Sequence, residues 1–296
     1  MDGLLSHRYL NWALLLTLVL MWGTSFMVTA LALEGFTPTA VTHIRLGVGA
    51  AVLLGICYIK GYRLPLTLRA WGVFFILGMM GNAIPFMLIS WGQQEVASGT
   101  AGTLMAIMPM MTILIAHYLL PDEPLNRFKI AGVIVGFSGV ALLLRADIAL
   151  SASLWHELAI LIAACCYALN AVLARKLSSF HPLVGSAGML TAAFILTTPL
   201  FLSESLTYSQ ILQQTGIIAA LWLGFIPTAI ASLIFFVVVE RAGPGFLANI
   251  NFMIPVVAFF TGAVVLNEPI SLNSFAALVI ILAGIVLTRR TVQEKP

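Results

Sequence analysis

Charge is what this sequence has least of. Of its 296 residues, 14 are Lys or Arg and 11 are Asp or Glu, 8% in all, where a soluble domain carries about 25%. So few charges cannot cover the surface of a water-soluble domain of this size, which excludes a cytosolic globular protein. With 61% hydrophobic residues a disordered chain is excluded too. The net charge is only +3, so there is no basic surface to hold a phosphate backbone, and no nucleic-acid partner is expected. Cysteine is also scarce. Cys57, Cys165 and Cys166 make no disulfide framework or metal-ligand spacing and read as buried thiols in apolar stretches. There is no H-E-x-x-H, no G-x-S-x-G and no nucleotide-binding glycine loop, and the histidines are scattered. An enzyme is therefore not expected, nor is a metal or cofactor. Strand-type alternation is missing, which excludes a β-barrel.

What the sequence has is apolar length. Mean hydropathy is +1.06, and a helical span needs roughly 20 mostly apolar residues. Ten such runs lie at 11–33, 39–59, 70–92, 97–119, 127–145, 155–176, 182–202, 214–239, 246–266 and 272–289. The fold class is an all-α polytopic membrane protein. The first run resembles a signal peptide, with Arg8 before it and Ala30-Leu31-Ala32 as a cleavage-like site. It is too long for an apolar core of about 7–15 residues, and it is read as a retained span.

Lys and Arg set the orientation. With the N-terminus inside, Arg8, Lys60, Arg63, Arg69, Arg127, Lys129, Arg175, Lys176, Arg241, Arg289, Arg290 and Lys295 are cytoplasmic, against Arg145 alone outside. That division requires an even number of spans. Both termini are expected in the cytoplasm, in an inner (plasma) membrane.

The two halves repeat. Glu123-Pro124-Leu125-Asn126 recurs as Glu268-Pro269-Ile270-Ser271, and Gly139-Val140-Ala141-Leu142 as Gly284-Ile285-Val286-Leu287, both at an offset of 145. Pro109 and Pro255 differ by 146, and Pro38 and Pro182 by 144. The offset divides the chain into five-helix repeats at 1–147 and 148–296. Five is odd, so the second repeat enters the membrane from the opposite side. Inverted repeats are the signature of alternating-access transporters, with a site near the midplane between them.

Trp22-Gly23-Thr24-Ser25-Phe26, Arg45, Asn82-Ala83-Ile84-Pro85-Phe86, Pro109 and Glu123-Pro124-Leu125 together resemble the EamA family of the drug/metabolite transporter superfamily. The resemblance covers nearly the whole chain, once per half. The second half departs from it, with Tyr167-Ala168-Leu169-Asn170 in place of Trp22-Gly23-Thr24-Ser25 and Met189 in place of Arg45. The resemblance implies a ten-helix exporter of small metabolites, often amino acids or related compounds.

Polar groups at depth are the candidate site, because each is costly unless it faces protein or water. Asn82, Asn170, Asn249 and Asn251, with Thr103 repeat-related to Asn249, offer amides and a hydroxyl suited to a polar metabolite, or to hydrogen bonds that only hold the bundle. Ser25 is a cavity candidate on the first helix. Trp22, Trp91 and Tyr167 are candidates for an apolar wall, with Trp91 alternatively an interfacial anchor. Arg45 is the only Lys or Arg well inside a span. It reads either as a snorkelling or carbonyl-capping side chain, the favoured reading, or as a carboxylate receptor. Pro85, Pro109, Pro227 and Pro255 each free a carbonyl and are candidate hinges or static kinks. Pro109 and Pro255 are expected to kink at similar depth. Glu123 and Glu268, each before a proline, read as N-terminal residues of their own helices.

No Asp or Glu falls in the middle third of any run, which disfavours carboxylate-based ion coupling. The expected function is a secondary exporter with a small-molecule substrate, embedded in lipid as a monomer or weak homodimer. A channel-like facilitator is the alternative.

Overall fold

The computed structural model describes residues 2–145, 151–177, 179–204 and 214–289. Arg290, Lys295, Asp147 and the expected junction between the repeats lie outside the described residues. No strand occurs among the described residues. The helices are α1 (Asp2–Leu33), α2 (Pro38–Ile59), α3 (Leu68–Gly78), α4 (Ile84–Gly92), α5 (Ser98–Met105), α6 (Met108–Leu119), α7 (Arg127–Arg145), α8 (Ser151–Leu177), α9 (Pro182–Ser203), α10 (Gln214–Gly224), α11 (Ala231–Leu247), α12 (Ile250–Val265) and α13 (Leu272–Thr288). One π-helical turn, Met79–Ala83, joins α3 to α4, and a second, Phe225–Ile230, joins α10 to α11. Each of the ten apolar runs is therefore helical.

Among the described residues, eight helical stretches are long and apolar enough to cross a bilayer, and α12 and α13 are shorter apolar helices. The last of the eight covers 34 residues, Gln214–Leu247. It is interrupted at Gly243, whose φ of 81° and ψ of 164° are not helical. A positive φ of this kind is open to glycine at little cost. Ile134, Ile162, Leu200, Ile218 and Val264 each expose more than half their surface. In water that outer face would be an aggregation surface, while against acyl chains it costs nothing.

Local signals set the helix ends. The Thr37 hydroxyl accepts from the Ala40 amide, with Pro38 in the first turn. Thr67, Asn126 and Ser271 cap α3, α7 and α13 in the same way. The last two caps correct the reading of the Glu-Pro pairs. Because Asn126 and Ser271 are the N-caps, α7 and α13 begin after them, and Glu123 and Glu268 sit in the preceding loops.

The halves interlock through reciprocal packing. α2 lies on α9, and α7 lies on α13. α1 packs on α12 as α8 packs on α6, and α4 packs on α8 as α10 packs on α1. Likewise α3 meets α9 as α10 meets α2. The α7–α13 contact depends on missing side chains. A Cβ on Gly284 would lie 2.7 Å from the Gly132 carbonyl oxygen, so the two backbones touch directly, as small residues allow in lipid.

Candidate functional site

The two π-helical turns shape the centre of the molecule. A π turn inserts one residue and breaks the regular ladder, leaving backbone carbonyls for other donors. Pro227 has no N–H, which frees the Leu223 carbonyl four residues earlier. The Thr228 hydroxyl takes that carbonyl at 2.8 Å. The Pro227 carbonyl in turn accepts from the Trp22 indole N–H of α1 at 2.8 Å. Arg45 of α2 donates its Nε to the Thr228 hydroxyl at 2.9 Å. One π turn of the second half is thus bonded by two side chains of the first.

Between these elements lies a cavity of about 340 Å³, in the range of small-molecule sites. Both halves line it. Trp22 faces it with its repeat counterpart Tyr167, Asn82 with Thr228, and Pro109 with Pro255. Ser25, Arg45 and Asn251 also line it, beside Phe26, Phe86, Met105, Ile254 and Phe235. Among the described residues the lining contains no Asp or Glu. The Arg45 guanidinium is buried, with only 8% of the residue exposed, and its carbon lies 3.7 Å from the centre of the Phe86 ring. Phe86 meets the Tyr167 ring edge-on at 6.4 Å. Among the described residues no carboxylate pairs with Arg45, and neither Asn82 nor Tyr167 makes a side-chain hydrogen bond. Arg45 therefore does not snorkel. Its aliphatic stem and head stay inside because Thr228 and Phe86 hold them there.

Of the expected cavity residues, Trp22, Ser25, Arg45, Asn82, Tyr167 and Asn251 come together, and Trp91, Thr103, Asn170 and Asn249 do not. Trp91 stacks on His156 at 4.1 Å, well exposed near the end of α4, as an anchor would. Thr103 is fully buried and bonds the Gly99 carbonyl of its own helix. Asn170 packs onto Gly81, and its buried Oδ1 has no partner. Asn249 bonds the Phe246 carbonyl and accepts from Arg289. The prolines also separate. Pro109 stands in the first turn of α6, just after a break at Ala106–Ile107, whereas Pro255 lies inside the continuous α12. The break of that second segment falls earlier, at Ala248–Asn249. Prolines at matching positions thus do not kink at matching depth. Pro85 follows the first π turn at the start of α4, and Pro227 lies inside the second. Thr228, Phe86 and Ser232 were missed as lining residues. For Thr228 the signal was present, since it stands 146 positions after Asn82.

The two ends of the cavity differ. Towards the Glu268 end, α5 and α12 are in close contact. A Cβ on Gly102 would strike Ala258, and one on Gly99 would meet the Phe259 backbone. The Glu268 carboxylate seals this contact by accepting from the Ser98 and Gly99 amides at 2.7 and 3.0 Å. It caps α5, a helix of the other half, where its charge complements two orphan N–H groups. Towards the Glu123 end, a Cβ on Gly245, the counterpart of Gly99, would meet nothing within 4 Å. Glu123 there pairs with Arg175 and Lys129.

Comparison with known proteins agrees with this architecture. A crystal structure matches with a TM-score of 0.68 at 21% identity, covering 95% of this chain and 98% of the other. "Uncharacterized transporter YoaV" of Bacillus subtilis is 22% identical, over 95% of this chain and 97% of its own. "Uncharacterized inner membrane transporter YedA" of Escherichia coli K12 is 24% identical, over 92% and 88%. A "Probable terminal-alkyne amino-acid exporter" of Streptantibioticus cattleyicolor is 32% identical, over 45% and 43%. The EamA-like transporter family matches twice, over residues 11–145 and 154–290. With its apolar helices around a central cavity built from both halves, this chain belongs to the EamA-like transporter family and is a multi-pass membrane transporter.

Proposed function

We propose that the protein is a secondary carrier, not an enzyme, that exports small metabolites such as amino acids or related compounds by alternating access. Ten spans are proposed, in two inverted five-helix repeats with both termini in the cytoplasm. The break at Gly243 supports the count, because it lets Pro244–Leu247 belong with α12 to a ninth span. The relative named as a probable amino-acid exporter supports the substrate class over its matched part.

The observation that carries the reading is an unequal pair of counterpart contacts beside the cavity. Counterpart segments from the two repeats, α5 with the segment from Pro244 and α6 with α12, lie around one central cavity. The α5–α12 contact is closed by Glu268, whereas a Cβ on Gly245 would meet nothing within 4 Å. A carrier needs two such states of opposite asymmetry, whereas a channel needs a polar path through both ends at once.

The test is counterflow in proteoliposomes. Saturable exchange of labelled for unlabelled substrate supports a carrier. Large single-opening currents without counterflow identify a channel and overturn the proposal.

A further inference from the structure

We propose that Arg45 receives a carboxylate, and that the substrate class is a small organic anion with an apolar body. This rests on the carrier reading and narrows it. Arg45 is more than nine-tenths buried at the wall of the cavity. Only its Nε is bonded, to Thr228, while one face lies on Phe86. That leaves the two Nη groups, which are the pair of parallel donors a carboxylate accepts in bidentate fashion. A cation buried without an opposite charge is expensive, and no lining residue supplies one. A substrate carboxylate completes the pair. The rest of the lining then describes the rest of the substrate. Trp22, Phe26, Phe86, Met105 and Ile254 present apolar surface to its body. With no Asp or Glu present, an ammonium group would be desolvated against neutral acceptors alone, such as Asn82 and Tyr167. The carboxylate is therefore the recognised charge, and an ammonium adds nothing to affinity.

The full-length protein, purified in detergent, is followed by thermal unfolding with 3-phenylpropionate, L-phenylalanine, 3-phenylpropionamide and phenethylamine as probes. The two carboxylates raise Tm, with phenylpropionate binding at least as tightly as phenylalanine, and the amide and amine do not. Loss of the charge in Arg45→Gln weakens phenylpropionate by about tenfold or more. Arg45→Lys keeps the charge without the fork and falls between the two, which also serves if Arg45→Gln does not fold. Equal binding of amide and carboxylate, no binding of either carboxylate, or undiminished binding in both variants overturns the assignment. Counterflow separates this from the carrier reading. Arg45-dependent binding without counterflow leaves the site standing and removes the carrier. Counterflow that prefers the amine or amide keeps the carrier and removes the carboxylate.

Discussion

Two residues of the cavity show how sequence position and chemical role come apart. Asn82 and Thr228 stand at matching places in the two π turns, yet Thr228 is engaged on both sides and Asn82 makes no side-chain hydrogen bond. Asn82 is thus an amide at the cavity wall without a side-chain partner. Replacing it with Ala should cut transport at least about tenfold, the scale of one lost hydrogen bond to a charged or polar ligand, while membrane insertion and thermal stability stay unchanged. Unaltered transport at matched expression removes it from the site. Trp22 is the opposite case, because its indole N–H satisfies the Pro227 carbonyl. Trp22→Phe should lower folding stability by about 1 kcal/mol, the scale of an interhelical hydrogen bond in lipid, read as an earlier denaturation midpoint. An unshifted midpoint shows that water replaces the indole.

At the scale of elements, backbone contacts set what can be substituted. Gly284 lies against the Gly132 carbonyl, and any side chain there must part α7 from α13. Gly284→Val should cost roughly 1–3 kcal/mol, as overpacking does, whereas Gly72→Val, which meets open space, should be tolerated in thermal unfolding. The seal at the Glu268 end is also an element contact, one carboxylate joining the loop after α12 to the start of α5. Glu268→Gln removes the charge from that cap and should favour the state open at this end. In a background lacking Cys57, Cys165 and Cys166, Met105→Cys in the cavity should then react several-fold faster with an impermeant maleimide added on that side. An unchanged rate makes Glu268 a structural cap only. The helices were legible because each apolar run must pair its backbone internally in lipid. Their breaks were not. Proline marks a missing donor, but the tertiary partners of the freed carbonyl decide whether the helix bends, as the continuous α12 around Pro255 shows.

For the whole molecule, the placement of charge links architecture to energetics. Among the described residues the cavity lining holds one cation and no carboxylate, so no lining carboxylate is there to carry a coupled proton. An exported monoanion instead gains about 2.3 kcal/mol per 100 mV from an inside-negative potential. In vesicles with the potential clamped by potassium and valinomycin, a proton gradient should leave phenylpropionate efflux unchanged, and an inside-negative potential should accelerate it. Efflux that requires the proton gradient at clamped potential counts against this.

The sequence by itself determined that the chain is a membrane protein, where its helical runs lie, that its halves repeat and which family it resembles. These follow from composition, apolar run length and a constant offset, all of which are local or periodic along the chain. It also marked Trp22, Asn82, Arg45 and Tyr167 as costly or distinctive residues at depth. Only the tertiary structure decided which of the buried polar groups share one cavity. Thr103, Asn170 and Asn249 were equally polar at depth, but their helices turn them into helix carbonyls, a packing contact and a terminal arginine. The direction a side chain takes around its helix, and what faces it from the other half, is a long-range property. It explains why Arg45 is buried at the cavity wall rather than snorkelling, and why Glu268 caps a helix that begins 170 residues before it.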